Sequence, residues 1–72
     1  MIELTVNGKS RRLERATTLL AFLEESGINP QIVAVEHNGA IVKRERYAET
    51  ALADGDRLEI VRMVGGGSGV SF

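Results

Sequence analysis

The sequence predicts an α+β fold in which one main helix packs across a mixed sheet of four to five strands. Segments of alternating apolar and polar residues lie near both ends of the chain, one segment of helical periodicity lies between them, and two Asn-Gly pairs indicate tight hairpins. The 72 residues suffice for one small core. We expect a single domain over residues 1–64, followed by a flexible glycine-rich tail over residues 65–72.

The first strand is predicted at the amino-terminal end, and its inward face is apolar. The residues on that face are Ile2, Leu4 and Val6. Asn7-Gly8 follows and favours a type I′ turn, because both central positions of that turn have positive φ. We expect the chain to return as an antiparallel strand over residues 11–14, with Leu13 facing inward.

A helix is predicted over residues 17–27. Three apolar side chains fall on one of its sides, namely Leu19, Phe22 and Leu23. Glu24 and Glu25 fall on the other side, which indicates a solvated face rather than a catalytic acid and base. A threonine can cap the first turn, Gly27 suits the left-handed residue that ends a helix, and Pro30 prevents continuation.

The second half of the chain predicts further strands. Residues 32–36 are rich in β-branched side chains and indicate a buried central strand. Asn38-Gly39 predicts a second hairpin, with a short return strand over residues 40–42. A polar connection over residues 43–52 is expected to contain a turn of helix. Two of its side chains are expected to pack against the core, those of Tyr47 and Leu52.

The last strand follows a turn at residues 54–56, where Asp54 and Asp56 indicate turn chemistry rather than a cation site. It covers residues 57–62, with Leu58 and Ile60 facing inward. This order of elements is that of the β-grasp, or ubiquitin-like, fold. In that fold the first and last strands lie side by side and parallel at the centre, and one face of the sheet is left uncovered by the helix.

Composition argues against several classes of protein. The net charge is −1 and aromatic residues are few, which argues against a nucleic-acid-binding protein. The absence of cysteine excludes thiolate chemistry. No apolar run approaches the roughly 20 residues of a membrane span and no secretory signal is visible, so we expect a cytoplasmic protein. His37 has no second histidine and is expected to be a surface turn residue, so we predict no metal site and no enzyme.

Several turn motifs and a glycine run occur in one order along the chain. They are Val33-Ala34-Val35-Glu36-His37-Asn38-Gly39, then Ile41-Val42 and Arg44, Tyr47-Ala48-Glu49-Thr50, Asp54-Gly55-Asp56-Arg57-Leu58-Glu59-Ile60-Val61 and Val64-Gly65-Gly66-Gly67. Together they resemble the ThiS family, the sulfur-carrier proteins of thiamine biosynthesis, from Ile2 to Gly67. The chain departs from that pattern at Lys43, where many relatives have proline, and at residues 68–72, which extend past the usual end of the family.

The resemblance implies a protein substrate rather than an enzyme. In the ThiS family an E1-like (ThiF-like) adenylyltransferase uses ATP and magnesium to activate the terminal glycine carboxylate. Sulfur from a cysteine desulfurase relay then replaces the AMP, and the thiocarboxylate supplies a ThiG-like thiazole synthase. By this resemblance Gly67 carries the reacting carboxylate after removal of residues 68–72, with Gly66 beside it, and the chain itself binds no cofactor. We expect a monomer when the protein is free.

The segment that leads into the glycines is expected to dock onto these partners. The expected docking residues are Val61, Arg62, Met63, Val64 and Gly65, next to an open sheet face that includes Glu3, Thr5 and Glu59. Two alternatives remain open. The small subunit of molybdopterin synthase shares the fold and the Gly-Gly terminus, and a non-catalytic β-grasp interaction module could use the glycine tail merely as a tether.

Overall fold

The structure is a computed structural model, and it describes residues 1–63. The predictions that concern Val64, Gly65, Gly66 and Gly67, and those for the rest of the tail, lie outside the described residues.

Five strands form one mixed sheet beside a single α-helix. The strands are β1 (Ile2–Val6), β2 (Lys9–Leu13), β3 (Val33–His37), β4 (Ala40–Val42) and β5 (Arg57–Arg62), the helix is α1 (Leu19–Glu25), and two 3-10 turns cover Pro30–Ile32 and Arg44–Arg46. The strand order is β2-β1-β5-β3-β4. Strands β1 and β5 run parallel to each other, as the β-grasp prediction requires, and the other neighbours are antiparallel.

Two sequence predictions about the strands need correction. The segment predicted as the central strand begins one residue later, at Val33, because Ile32 belongs to a 3-10 turn. It lies inside the sheet as predicted, between β5 and β4, and β5 occupies the middle position in agreement with the β-grasp prediction. Strand β2 covers Lys9–Leu13 rather than residues 11–14, since the two-residue turn lets Val6 pair with Lys9 at once.

Both Asn-Gly pairs form the predicted left-handed turns. The φ angles are 51° at Asn7 and 83° at Gly8, and 53° at Asn38 and 87° at Gly39. Both asparagine side chains also bind the central strand. The Asn7 Oδ1 accepts from the Ile60 N–H at 2.7 Å and its Nδ2 donates to the Ile60 carbonyl oxygen at 3.2 Å. Asparagine therefore serves both the turn and the docking of the hairpin onto β5.

Helix α1 is capped at both ends by local chemistry. The Thr18 Oγ1 accepts from the Ala21 N–H at 3.2 Å, which satisfies one of the free donors of the first turn. Gly27 has a φ of 76°, its N–H donates to the Glu24 carbonyl oxygen, and the next N–H, of Ile28, donates to the Leu23 carbonyl oxygen. These two bonds form a Schellman motif, which ends the helix where the sequence predicts.

The core lies between α1 and one face of the sheet. Its buried apolar residues are Leu4, Leu19, Phe22, Leu23, Val33, Val35, Tyr47, Leu52, Leu58 and Ile60. The expected burial of Tyr47 and Leu52, which come from the long polar connection, is confirmed. The Tyr47 hydroxyl donates to the Val33 carbonyl oxygen at 3.2 Å. No helix within residues 1–63 is long and apolar enough to cross a membrane.

Candidate functional site

One face of the sheet is not covered by α1. Alternate residues of each strand point away from the core and form this open face, which comprises Glu3, Thr5, Ser10, Arg12, Ala34, Glu36, Ile41, Arg57, Glu59 and Val61. The sequence-predicted residues Glu3, Thr5, Glu59 and Val61 belong to it. The face is mixed in chemistry, because exposed charges lie beside the half-buried Val61 and the 78% exposed Ile41.

Two glutamates lie directly opposite each other on the open face. Glu36 of β3 pairs in register with Glu59 of β5, and both are exposed. Within residues 1–63, the contacts between acidic and basic side chains are His37–Asp56 and the ion pair Arg46–Glu49, so neither glutamate has a cationic partner there. Like charges in opposed cross-strand positions destabilise a sheet. The opposed glutamates therefore do not stabilise the fold. The alternation of residues in the sequence did not reveal that these two side chains face each other.

The described chain ends where β5 passes into the tail, and Met63 marks this tail root. The last register pair of β5 is Arg62 with Val33, and the Met63 N–H then donates to the Ile32 carbonyl oxygen at 2.6 Å. The Met63 side chain is 52% exposed. Among the expected docking residues, Val61 points to the open face and Arg62 to the helix side. We predicted from the sequence that these residues dock together, whereas in the structure neighbouring side chains of the strand lie on opposite faces of the sheet.

A cavity of about 470 Å³ lies on the helix side of the tail root. Its apolar lining includes Val6, Ile28, Ile32 and Ile60, and Arg11 and Arg62 also line it. The Arg11 guanidinium lies 5.4 Å from the centroid of the Phe22 ring, a cation–π distance that keeps this side chain over the core.

The opposite end of the sheet holds a polar cluster built around Asp56. His37 Nε2 lies 2.7 Å from Asp56 Oδ2, which also accepts from the Ala53 N–H at 2.9 Å, and the Asn38 Nδ2 donates to Asp56 Oδ1 at 3.1 Å. Partial burial tends to raise the pKa of the Asp56 carboxyl, but the hydrogen bonds from His37, Ala53 and Asn38 outweigh burial and lower that pKa below its ordinary value.

This cluster changes the interpretation of His37. We predicted a surface turn residue at this position, but His37 ends β3, is half-buried and lies against Asp56. This contact joins the second hairpin to the turn before β5. The turn role predicted for Asp56 is confirmed, because its carboxylate accepts from the Ala53 N–H in the same turn. The Asp54 Oδ1 accepts from the Glu3 N–H of β1 at 2.7 Å. In residues 1–63 no group of three histidine, cysteine or acidic side chains is placed to hold a metal ion.

The sequence model of the ThiS family matches residues 4–67. This chain belongs to the ThiS family. The match covers the described domain from β1 onward and ends at the third residue of the glycine run, so residues 68–72 lie beyond it. The resemblance inferred from the turn motifs is therefore confirmed.

Known relatives agree with this membership. The chain is 42% identical over 65 residues to the sulfur carrier protein ThiS of Bacillus subtilis, covering 89% of this chain and 98% of the relative. The crystal structure of the thiamine biosynthesis protein ThiS from Geobacter metallireducens superposes with a TM-score of 0.81 at 32% identity. It covers 92% of this chain and 100% of that one, and confirms the β-grasp fold.

A further relative is much longer than this chain. The sequence is 45% identical over 67 residues to a thiazole synthase of Paramagnetospirillum magneticum, which corresponds to 93% of this chain but only 21% of that protein. The chain thus spans about a fifth of the length of this relative.

Proposed function

We propose that this chain is a sulfur carrier for the formation of the thiamine thiazole, and that the carboxylate of Gly67 becomes the sulfur-bearing group. The observation that carries the proposal is the ThiS family match over residues 4–67, which ends on the glycine run. The chain acts as a substrate of partner enzymes in the cytoplasm and is not itself an enzyme. It holds no resident cofactor, because ATP and magnesium are used by an E1-like adenylyltransferase.

The chemistry follows from the poor reactivity of a carboxylate. A carboxylate at neutral pH is a weak electrophile, so the partner first joins it to AMP and releases pyrophosphate. The terminal sulfur of a persulfide from a cysteine desulfurase relay then attacks the acyl carbon and displaces AMP, which gives an acyl disulfide. A thiol reductant cleaves its S–S bond and is itself oxidised to a disulfide, which releases the thiocarboxylate. The resulting thiocarboxylate is a soft nucleophile that can deliver sulfur to a thiazole synthase. Glycine suits this terminus because it lacks a Cβ. Gly67, together with Gly66 beside it, can therefore enter a narrow channel.

Chain length supports this division between domain and tail. Gly67 lies five positions beyond Arg62, the last residue of β5. Fully extended, this segment reaches roughly 17 Å at about 3.4 Å per residue. That reach allows Gly67 to enter a partner's active site while the folded domain stays outside.

The open face and the tail root are the proposed docking surface. The side chains of Val61 and Met63 follow the same alternation along β5 and lead toward Val64 and Gly65. The opposed Glu36 and Glu59 fit a partner that places a basic side chain between them, since a cation would relieve their repulsion. Arg62 lies on the other side of the strand and is proposed to act at the mouth of the partner's channel.

Residues 68–72 have to be removed before this chemistry. In the present sequence the Gly67 carbonyl is joined to Ser68 in a peptide bond, so its carboxylate is not free. The relative named thiazole synthase, of which the chain spans about a fifth, supports thiazole synthase as the partner that consumes the sulfur.

A reconstitution tests the proposal. A chain that ends at Gly67 and the chain through Phe72 are each incubated with a ThiF-like adenylyltransferase, ATP and magnesium, and pyrophosphate release is measured. We expect release only from the chain that ends at Gly67. After addition of a cysteine desulfurase relay, cysteine and a thiol reductant, its intact mass should rise by the difference between sulfur and oxygen. No pyrophosphate from either chain would contradict the proposal, and thiocarboxylate that supplies only molybdopterin synthase would assign the carrier to that pathway.

A further inference from the structure

The 3-10 turn Pro30–Ile32 makes a connection between Arg44 and the tail root. A helical turn leaves its last carbonyl oxygens without partners inside the turn. Here the Arg44 Nε donates to the Pro30 carbonyl oxygen at 3.1 Å, and its Nη2 donates to the Gln31 carbonyl oxygen at 3.1 Å. The next carbonyl, that of Ile32, accepts from the Met63 N–H at 2.6 Å. All three carbonyls of the turn are therefore used.

The amino-terminal side of this turn is fixed as well. The Asn29 Oδ1 accepts from the Gln31 N–H at 2.9 Å, and the Ile32 N–H donates to the Asn29 carbonyl oxygen at 3.2 Å. The turn is thus held through its N–H groups by its own cap and through its first two carbonyl oxygens by Arg44. Met63 is attached to the third carbonyl oxygen of the same turn, that of Ile32.

Arginine is suited to this position by its shape. The planar guanidinium presents several N–H groups in a rigid fork, which can bond two successive carbonyl oxygens at once. Lysine keeps the charge but offers a compact ammonium without that fork. Arg44 opens the second 3-10 turn, so its backbone belongs to a different part of the chain from the turn that it holds.

We propose that Arg44 is a positioning residue for the tail, which acts by fixing the turn to which the tail root is attached. Through the Pro30 and Gln31 carbonyls it fixes the turn whose Ile32 carbonyl holds Met63, the residue that precedes Val64 and the glycines in the sequence. The inference about activity rests on the proposed carrier function. The inference about the tail root rests on the hydrogen bonds alone.

Arg46 provides a matched control. It lies in the same 3-10 turn as Arg44 and has the same side chain, but its Nη1 donates to the Glu49 Oε1 at 3.1 Å in an ion pair whose two side chains are each 67% exposed. Its guanidinium makes no bond to the Pro30–Ile32 turn. Arg44→Gln and Arg46→Gln therefore remove the same charge and differ in the contact that is lost.

The first measurement is amide hydrogen exchange in the chain that ends at Gly67. In Arg44→Gln we expect the Met63 N–H to exchange about tenfold faster, because its acceptor turn loses two charge-assisted bonds. The Asn38 N–H, which donates to the Arg57 carbonyl oxygen at the other end of β5, should keep its rate. Arg46→Gln should leave both rates unchanged. Equal acceleration at Met63 and Asn38 would indicate a general loss of stability and overturn the proposal.

The second measurement is adenylation of the same chains by the ThiF-like partner. We expect kcat/KM to fall about tenfold in Arg44→Gln, within the range that misplacement of a reacting group costs, and to recover in part in Arg44→Lys. Arg46→Gln should remain within about twofold of the parent chain. A faster Met63 exchange with unchanged adenylation would overturn the positioning role. Failure of the parent chain to be adenylated would refute the carrier function, while the exchange data would still decide whether Arg44 holds the tail root.

Discussion

The two faces of β5 show how one strand serves two purposes. Leu58 and Ile60 are 0% and 6% exposed and complete the core beneath α1, whereas Glu59 and Val61, at the positions next to them, point to the open face. On the covered face Leu58 and Ile60 lie in the apolar core, and on the open face Glu59 lies opposite Glu36. The covered face therefore stabilises the fold, while the open face keeps a pair of like charges that does not stabilise the sheet and that we propose serves docking.

The largest expected effect follows from damage to the covered face. Leu58→Ala removes a fully buried side chain and should lower the free energy of unfolding by about 3 kcal/mol, because apolar contacts are lost and a cavity remains. Urea denaturation measures this change. Val61→Ala is the matched control on the open face and should cost less than about 1 kcal/mol. Equal losses for the two variants would contradict the division between the faces.

The next effect concerns activity rather than stability. Met63→Asp places a charge at the tail root, on a side chain that is already half exposed, and should lower kcat/KM for adenylation about tenfold without unfolding the domain. The control is Ala48→Asp, which changes another exposed apolar residue, in the connection that follows the second 3-10 turn and outside the open face. A similar loss of adenylation in both variants would mean that the effect is not specific to the tail root.

A smaller effect of opposite sign is expected on the open face. Glu59→Gln removes one member of the opposed glutamate pair and should raise the free energy of unfolding by about 0.5 kcal/mol. Glu25→Gln, at an exposed helix position, serves as the control for loss of one negative charge. Denaturation at low and at high salt should show that the gain shrinks as salt screens the repulsion. A loss of stability in Glu59→Gln would show that the pair is not repulsive.

The smallest expected effect is a change in the pKa of Tyr47, which is buried in the core. Tyr47 is the only tyrosine and there is no tryptophan, so ultraviolet absorbance follows its hydroxyl alone. Burial raises the pKa of Tyr47 above its ordinary value of 10.0, and the Arg44 charge lowers it in part. Arg44→Gln should therefore raise the pKa of Tyr47 further, whereas Arg46→Gln should not. A lower pKa in Arg44→Gln would contradict the proximity of the two side chains.

The same titration has a consequence for stability. Because the pKa of Tyr47 is higher in the folded than in the unfolded chain, the folded state binds more protons in the interval between the two values. Its contribution to stability is complete below the unfolded value of about 10 and is lost as the pH rises through the folded value. Tyr47→Phe should remove this part of the alkaline dependence in a pH series of urea denaturations.

Local sequence determined the elements and the faces on which their residues lie. The Asn-Gly pairs, the alternation in residues 57–62 and the capped segment around Leu19, Phe22 and Leu23 each depend on neighbours a few residues apart, so the turns, the last strand and the helix were predicted correctly. The motif order and the glycine run also sufficed to indicate the ThiS family.

Contacts between distant segments were decided only by the tertiary structure. The Asn7 side chain reaches Ile60 across 53 positions, His37 meets Asp56 across 19, and Arg44 meets the Pro30 and Gln31 carbonyls across 14 and 13. Periodicity reports which face a side chain occupies, but not which strand lies beside it. The opposition of Glu36 and Glu59 and the attachment of Met63 to Ile32 arise from the packing of the whole sheet, since register between strands depends on burial of all the apolar faces together.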